Sequence, residues 1–312
     1  MFCGFCGPID AYGVFVVPAH EKDIGQAGPK VTEIWRYPVK SMVGGTVASA
    51  DLSMLGIVGD RHWAVRSLEW GGVRGAKKIG ALMQFAARES NPGTPSDGVE
   101  ITLPNGTTVL SGDPAVNGAL SAALGHPVEL VQLPADGDDA HFLRGAPTSS
   151  DPMGELRAVF GREDDEPLPD FSAFPPEVAS YESPPGTHHD CWPLMVMSTS
   201  AVRALRDALP GSDTDIRRFR PSMVVDTGDA VGHPEFSWSG RTAAVGSARI
   251  EFLSPCPRCV MTTLAVGPSA SQVPADRAVL RHIVRDLGQN LGVYARILVP
   301  GTVRTGDEIV FD

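Results

Sequence analysis

"GVYARILVPGTVRTGDEIVF", residues 292–311, alternates apolar and polar positions on both sides of a Pro-Gly pair, and it closes the chain with β-branched and aromatic residues. Period-two alternation of that kind reads as strand, and Pro-Gly reads as a turn, so the segment predicts two strands joined at 300–301. Just upstream, "PADRAVLRHIVRDLG" (274–288) changes to a helical period. Ala275, Val279, Leu280, Ile283, Val284 and Leu287 share one face, between an opening proline and a closing glycine. Further back come strand candidates at 192–198, 222–227, 240–246, 248–253 and 259–266, with a helix at 198–210. The first part of the chain reads the same way, with strand-like runs at 31–39, 45–55, 61–67, 99–104 and 107–112. Residues 76–89 and 115–125 have helical composition. Strands about every ten residues with few helices predict a mostly β protein of the α+β kind, built as barrels and not as a βαβ sheet.

The segmentation follows from composition. Residues 1–30 are Gly- and Pro-rich without periodicity and read as an extension. Residues 31–131 form a first β domain, and 188–312 form a second. Between them, 132–187 turns acidic and proline-rich ("ADGDDAH", "GREDDEPLPD", "SYESPPGTHH") and reads as a long connection.

The chain has 312 residues, a formal charge of −11 and 42% hydrophobic residues. Its length allows two ordinary domains, and its acidity gives no global field for nucleic acid or an anionic membrane. No apolar run reaches the roughly 18 residues needed to span a bilayer, and the N-terminus lacks the features of a secretory signal, so the expected location is cytoplasmic. There is no G-x-G-x-x-G, Walker A, H-E-x-x-H or G-x-S-x-G pattern.

Five cysteines in a chain of this size argue against a disulfide scaffold. Cys3/Cys6 and Cys256/Cys259 are both C-x-x-C pairs. Together they could hold zinc, although far apart in sequence. The second pair could be a redox pair, a pair of inert core cysteines, or a place where one thiolate holds a metal. The cations bear on that choice. "YPVKS" (Lys40, Ser41), "GDRHW" (Arg61), "RRFRPS" (Arg217, Arg218, Arg220) and "PRC" (Arg258) place positive charge beside apolar, strand-like sequence. A buried guanidinium needs an anion, and its planar fork suits phosphate.

Five blocks in order, "IWRYPVKSM", "GIVGDRHWAV", "RFRPSMVV", "SPCPRCVMTT" and "LGVYARILVPGTVRTGDEIV", resemble the MOSC proteins, named for the molybdenum cofactor sulfurase C-terminal domain. The similarity is to the branch containing the amidoxime-reducing components. It implies an N-terminal β-barrel-like MOSC domain, a MOSC β-barrel domain, and a molybdenum–molybdopterin cofactor between them. By position it makes Cys259 the thiolate on molybdenum. Lys40, Ser41, Arg61, Arg220, Ser222, Arg258 and Tyr294 would hold the pterin and its phosphate. "HHDC" (188–191) adds His189 and Asp190 on the cofactor or substrate side, Asp190 as a catalytic candidate. Pyridoxal phosphate binding is a further association of the family. The sequence departs from the amidoxime-reducing members at Ser222, where they carry Asn, and at "VRGAKK" (73–78), where they read closer to "TARQEP". A soft thiolate suits a metal already bound by sulfur.

The expected activity is reduction of a small N-hydroxylated substrate, an amidoxime or hydroxylamine. No ferredoxin, flavin or haem signature is present, so electrons must come from a separate donor protein. The alternative is a carrier that holds the cofactor, or passes sulfur through Cys259, without turnover.

Overall fold

The computed structural model describes residues 28–134 and 138–312. Cys3, Cys6 and nearly all of the N-terminal extension lie outside the described residues. The first part carries short strands: β1 (Lys30–Arg36), β2 (Gly45–Val47), β3 (Ser49–Ser53), β4 (Gly56–Ile57), β5 (Trp63–Ser67), β6 (Val73–Arg74), β7 (Ala86–Glu89), β8 (Val99–Thr102), β9 (Thr108–Leu110) and β10 (Val128–Gln132), with helix α1 (Val116–Leu124) before β10. Helix α2 (Pro152–Phe160) lies in the connection. The second part holds β11 (Leu194–Ser198), α3 (Thr199–Ala208), β12 (Met223–Asp226), β13 (Thr242–Val245), β14 (Ala248–Pro257), α4 (Arg277–Asp286), β15 (Asn290–Val299), β16 (Gly301–Arg304) and β17 (Ile309–Phe311). The mostly β, α+β class is therefore present.

One eight-stranded sheet runs β17-β13-β14-β15-β11-β12-β1-β2, and three-stranded sheets are formed by β10-β5-β6, β16-β3-β4 and β7-β8-β9. These sheets are open, which corrects the expectation of closed barrels. β11 and β12 pair in parallel with α3 between them, so one βαβ unit is present where none was expected. β1 pairs with β12, Ile34 opposite Met223, so the earliest described strand is built into the sheet of the second part. The core follows that pairing. Val31, Ile34, Leu52, Val196, Val225, Phe252, Val293 and Ile297 lie in one buried cluster. On the other face of the sheet, Met195, Met197, Phe219, Cys256, Ile283 and Leu291 pack with α3 and α4. Leu194 and Val196 point one way along β11, Met195 and Met197 the other, as a strand buried on both faces requires.

Three local expectations need correction. Residues 76–89 are not a helix: a 3-10 turn at Gly80–Gln84 leads into β7, because Ala86–Glu89 pair with Val99–Thr102 and tertiary pairing overrides local composition. "CVMTTLAV" is not a strand. β14 runs on to Pro257, and Val260–Thr263 then form a 3-10 turn, with Thr262 and Thr263 hydroxyls donating back to the carbonyls of Cys259 and Val260. The Pro300–Gly301 junction does not fold β15 back on β16. β15 pairs with β14, whereas β16 pairs with β3, so the chain changes sheet there. A Cβ on Gly301 would stand 2.5 Å from the Ser247 carbonyl carbon, which is why this corner takes glycine.

Candidate functional site

Six stretches of chain converge on a cavity of about 120 Å³. The corner after β1 brings Lys40 and Ser41, and the turn before β5 brings Arg61. The segment entering β11 brings His189 and Asp190. The turn before β12 brings Arg220 and Ser222, and the end of β14 brings Arg258 and Cys259, with Tyr294 from β15. Every residue singled out in the sequence for this site lines that one cavity.

The backbone marks the same place. Among the described residues, the non-glycine residues with positive φ are Ser41 (69°), Arg61 (52°), Arg220 (56°) and Gln289 (75°). Left-handed backbone in such residues costs roughly 1–3 kcal/mol and concentrates at functional sites. Three of these line the cavity. The fourth, Gln289, accepts from the Arg258 N–H through its carbonyl at 2.9 Å and from Arg162 through its side chain.

The cations divide by how their donors are spent. Arg217 pairs with Asp215 at 2.8 Å, and Arg218 donates to the carbonyls of Asp213, Leu264 and Pro274. Arg61 pairs with Asp60. Lys40, 2% exposed, donates to Ser183 Oγ, the His188 carbonyl and Asp190. Arg220 and Arg258 differ. Arg220 lies over the Tyr37 ring at 4.2 Å and donates from Nη1 to the Met42 carbonyl, leaving Nη2 buried without a partner. Arg258 donates to Cys256 Sγ at 3.2 Å and to the Phe219 carbonyl at 2.6 Å, leaving Nε unpartnered. Burial, and then the neighbouring Arg61 charge, pull the Arg220 pKa down to about 10. A buried donor that costs this much to leave unmade is the feature an anion would relieve.

Asp190 sits between two lysines. Lys40 holds one oxygen, and Lys77 holds the other at 3.1 Å. Burial alone would raise its pKa, but the two ammonium groups outweigh that and hold it well below the usual carboxylate range. Asp190 therefore stays ionised near neutrality, which suits it to anchor cations and not to give up a proton. Lys77, in "VRGAKK", went unrecognised in the sequence. Burial opposes its charge, but Asp190 and then Cys259 hold its pKa above the ordinary lysine range. Cys259 is half-buried in the wall.

The other cysteines are quieter. Burial, with the nearby Cys256, pushes the Cys191 thiol up to about 12. Tyr294 shares a hydrogen bond with Cys256, and burial raises its pKa well above the usual value. Among the described residues no group of histidine, cysteine and carboxylate side chains is placed to hold a metal by itself. A four-cysteine zinc site would need Cys3 and Cys6, outside the described residues.

His189 is kept neutral by burial and then by the Arg61 and Lys40 charges. His188, next to it, accepts at Nε2 from His141 Nε2 at 2.8 Å because its Nδ1 faces the Arg61 carbonyl at 2.9 Å and must carry the proton. His141 belongs to the connection. So does Arg162, whose Nη2 donates to the Arg258 carbonyl at 3.0 Å and braces the cysteine-bearing corner from outside. The acidic connection is thus packed against the site, with Phe160 and Phe174 in the cavity wall.

Fold and site together describe an α+β protein whose cavity combines a half-buried thiol with buried, incompletely satisfied guanidinium groups. The chain belongs to the MOSC proteins: the MOSC N-terminal beta barrel domain matches residues 28–140 and the MOSC domain residues 185–310. Mitochondrial amidoxime reducing component 2 of Bos taurus is 25% identical over 79% of this chain and 69% of its own length. Mitochondrial amidoxime-reducing component 1 of Mus musculus is 24% identical over 94% of this chain and 84% of its own. The YUAD protein of Bacillus subtilis aligns over 91% of this chain and 94% of its own at 12% identity and a TM-score of 0.39, too low to bear on the fold. Among the described residues no helix is long and apolar enough to cross a membrane.

Proposed function

We propose that the chain is a molybdenum cofactor-dependent oxidoreductase that reduces N-hydroxylated compounds, amidoximes and hydroxylamines, with Cys259 as its ligand to the metal. The observation that carries this reading is the unpartnered Arg220 Nη2 and Arg258 Nε in the cavity that Cys259 enters. That donor set fits the group: guanidinium nitrogens for a phosphate-bearing pterin, and a half-buried sulfur for a soft metal centre. When bound, molybdenum supplies the two-electron exchange that an N–O bond needs.

The chain's own residues do the rest. Arg220 and Arg258 bind the anionic end. Ser41 accepts from the Ala76 N–H, and Ser222 from the Met195 N–H, so each still has its hydroxyl proton to donate into the cavity. Asp190 fixes the Lys77 ammonium group beside Cys259. The overall change takes two electrons and two protons, breaks the N–O bond, and yields the N–H compound and water. Water supplies the protons, since Asp190 stays ionised, and a separate electron-donor protein supplies the electrons. Neither cavity lysine suits a Schiff base with pyridoxal phosphate, because both ammonium groups are paired with Asp190.

The test is metal and pterin analysis of the chain made in a host that synthesises the cofactor, followed by turnover of benzamidoxime with an artificial electron donor. One molybdenum per chain and turnover abolished in Cys259→Ser support the reading. Full molybdenum content with no turnover of any N-hydroxylated compound supports the carrier reading. A chain without molybdenum or pterin overturns both.

A further inference from the structure

Beyond the inner cavity lies a cleft of about 810 Å³. The two adjoin, with Lys77, Phe160, Phe174 and Asp190 in the walls of both. Small-molecule sites run to roughly 300–1,000 Å³ and are mostly apolar with a few polar anchors. The outer cleft has that size. Its wall comes from the connection: Leu156, Val159 and Phe160 on α2, then Phe171 and Phe174. The Phe160 and Phe171 rings meet edge to face at 5.6 Å, and Phe171 and Phe174 also lie 5.6 Å apart. Phe171 nevertheless remains 43% exposed.

The charges around this cleft are spent on one another. Lys78 pairs with Glu155, Arg144 with Glu182 at 3.1 Å, and Lys77 with Asp190 at 3.1 Å. Arg74 donates to the carbonyls of Trp70, Gly71 and Ala146. An ionic ligand would have to break one of these pairs, whereas an apolar body has an aromatic wall waiting for it. Most of the wall also falls between residues 140 and 185, outside both matched domains.

We propose that the wall of Phe160, Phe171 and Phe174 selects the substrate, taking the uncharged apolar body of an N-hydroxylated compound whose N–O end reaches the inner cavity past Lys77 and Asp190. The proposal rests on the reductase reading for what happens to that end, and it assigns the selectivity to the connection. It also accounts for product release. An amidoxime is neutral at pH 7 but the amidine it becomes is a cation, and the cleft keeps no unpaired carboxylate to retain it.

The experiment titrates benzamidoxime, and its para-carboxylate anion 4-carboxybenzamidoxime, into the full chain by calorimetry with no electron donor present. Benzamidoxime is expected to bind at least about tenfold more tightly than the anion, and Phe171→Ala and Phe174→Ala are each expected to weaken it by about tenfold. With a donor added, KM for benzamidoxime rises by a similar factor while kcat holds, and hydroxylamine, which has no apolar body, is unaffected. Equal affinity for the anion, or unchanged affinity in both variants whose melting temperatures match the parent, overturns the proposal. Selective binding without turnover would sink the reductase reading and leave the cleft assignment standing. Turnover indifferent to both phenylalanines would do the reverse.

Discussion

Arg258 donates from Nη1 to the sulfur of Cys256 across 3.2 Å, within the pair whose second member is Cys259. The two cysteines of the C-x-x-C therefore have different surroundings. Cys256 is buried, bonded by Arg258 and Tyr294, while Cys259 is half-buried in the cavity wall. Changing Cys256 to alanine should leave metal content intact but leave two buried donors unmade, at about 1–3 kcal/mol. Changing Cys259 to serine should abolish metal content with little loss of stability. Elemental analysis and thermal melts on both variants check this, and equal metal loss in the two would revive a paired-cysteine site.

Arg220→Ala should show opposite effects with and without cofactor. In the chain without cofactor, removal of a buried charge with an unmade donor offsets the lost contact over Tyr37, so stability should change by no more than about 1 kcal/mol. Cofactor occupancy should fall at least about tenfold, measured as pterin per chain. A large fall in melting temperature with full occupancy would show an internal structural role instead.

Asp190→Asn removes the countercharge of Lys40, a lysine 2% exposed, and should cost about 3–5 kcal/mol. The acid limb also has a sign. Asp190 is held below its unfolded value, so its contribution is present above about pH 4 and is lost as pH falls further. Denaturation at pH 3 and pH 7 should show a smaller difference for the variant than for the parent.

The histidines act at higher pH. His188 is held at about 3 by burial and then by the Lys40 charge, and His141 and His189 are also lowered. Each is neutral when folded and takes its proton first when unfolded. Their contribution is complete above about pH 6.5 and declines as pH falls toward the folded values, for His188 at roughly 1.4 kcal/mol per pH unit. Urea denaturation at pH 7, 6 and 5 should show that slope, and His188→Gln should make it shallower.

Much of the site was legible because it is carried by short blocks of unusual content, cations and a thiol set in strand-like sequence. Lys40, Arg61, Arg220, Arg258 and Cys259 could each be picked out before any contact was known. Lys77 could not, since "GAKK" looks like an ordinary solvated run until Asp190 is placed beside it. "CVMTTLAV" misled because β-branched residues favour strand only when a neighbouring strand is available, and here two threonine hydroxyls close a turn instead. The packing of the connection was not legible for a related reason. Its aromatics lack periodicity, so their packing against the cavity leaves no pattern in sequence.

By itself the sequence determined the periods of β14, β15 and α4, the α+β class, and the ordered blocks that carry chemistry, because side-chain period and capping are local properties of the chain. Only the tertiary structure decided that β1 joins the sheet of the second part and that Arg220 and Arg258 keep nitrogens unmade. It also decided that the acidic connection walls the site. Those outcomes depend on which groups meet across long sequence separations and which are left over once burial has been paid for, and no local pattern records that.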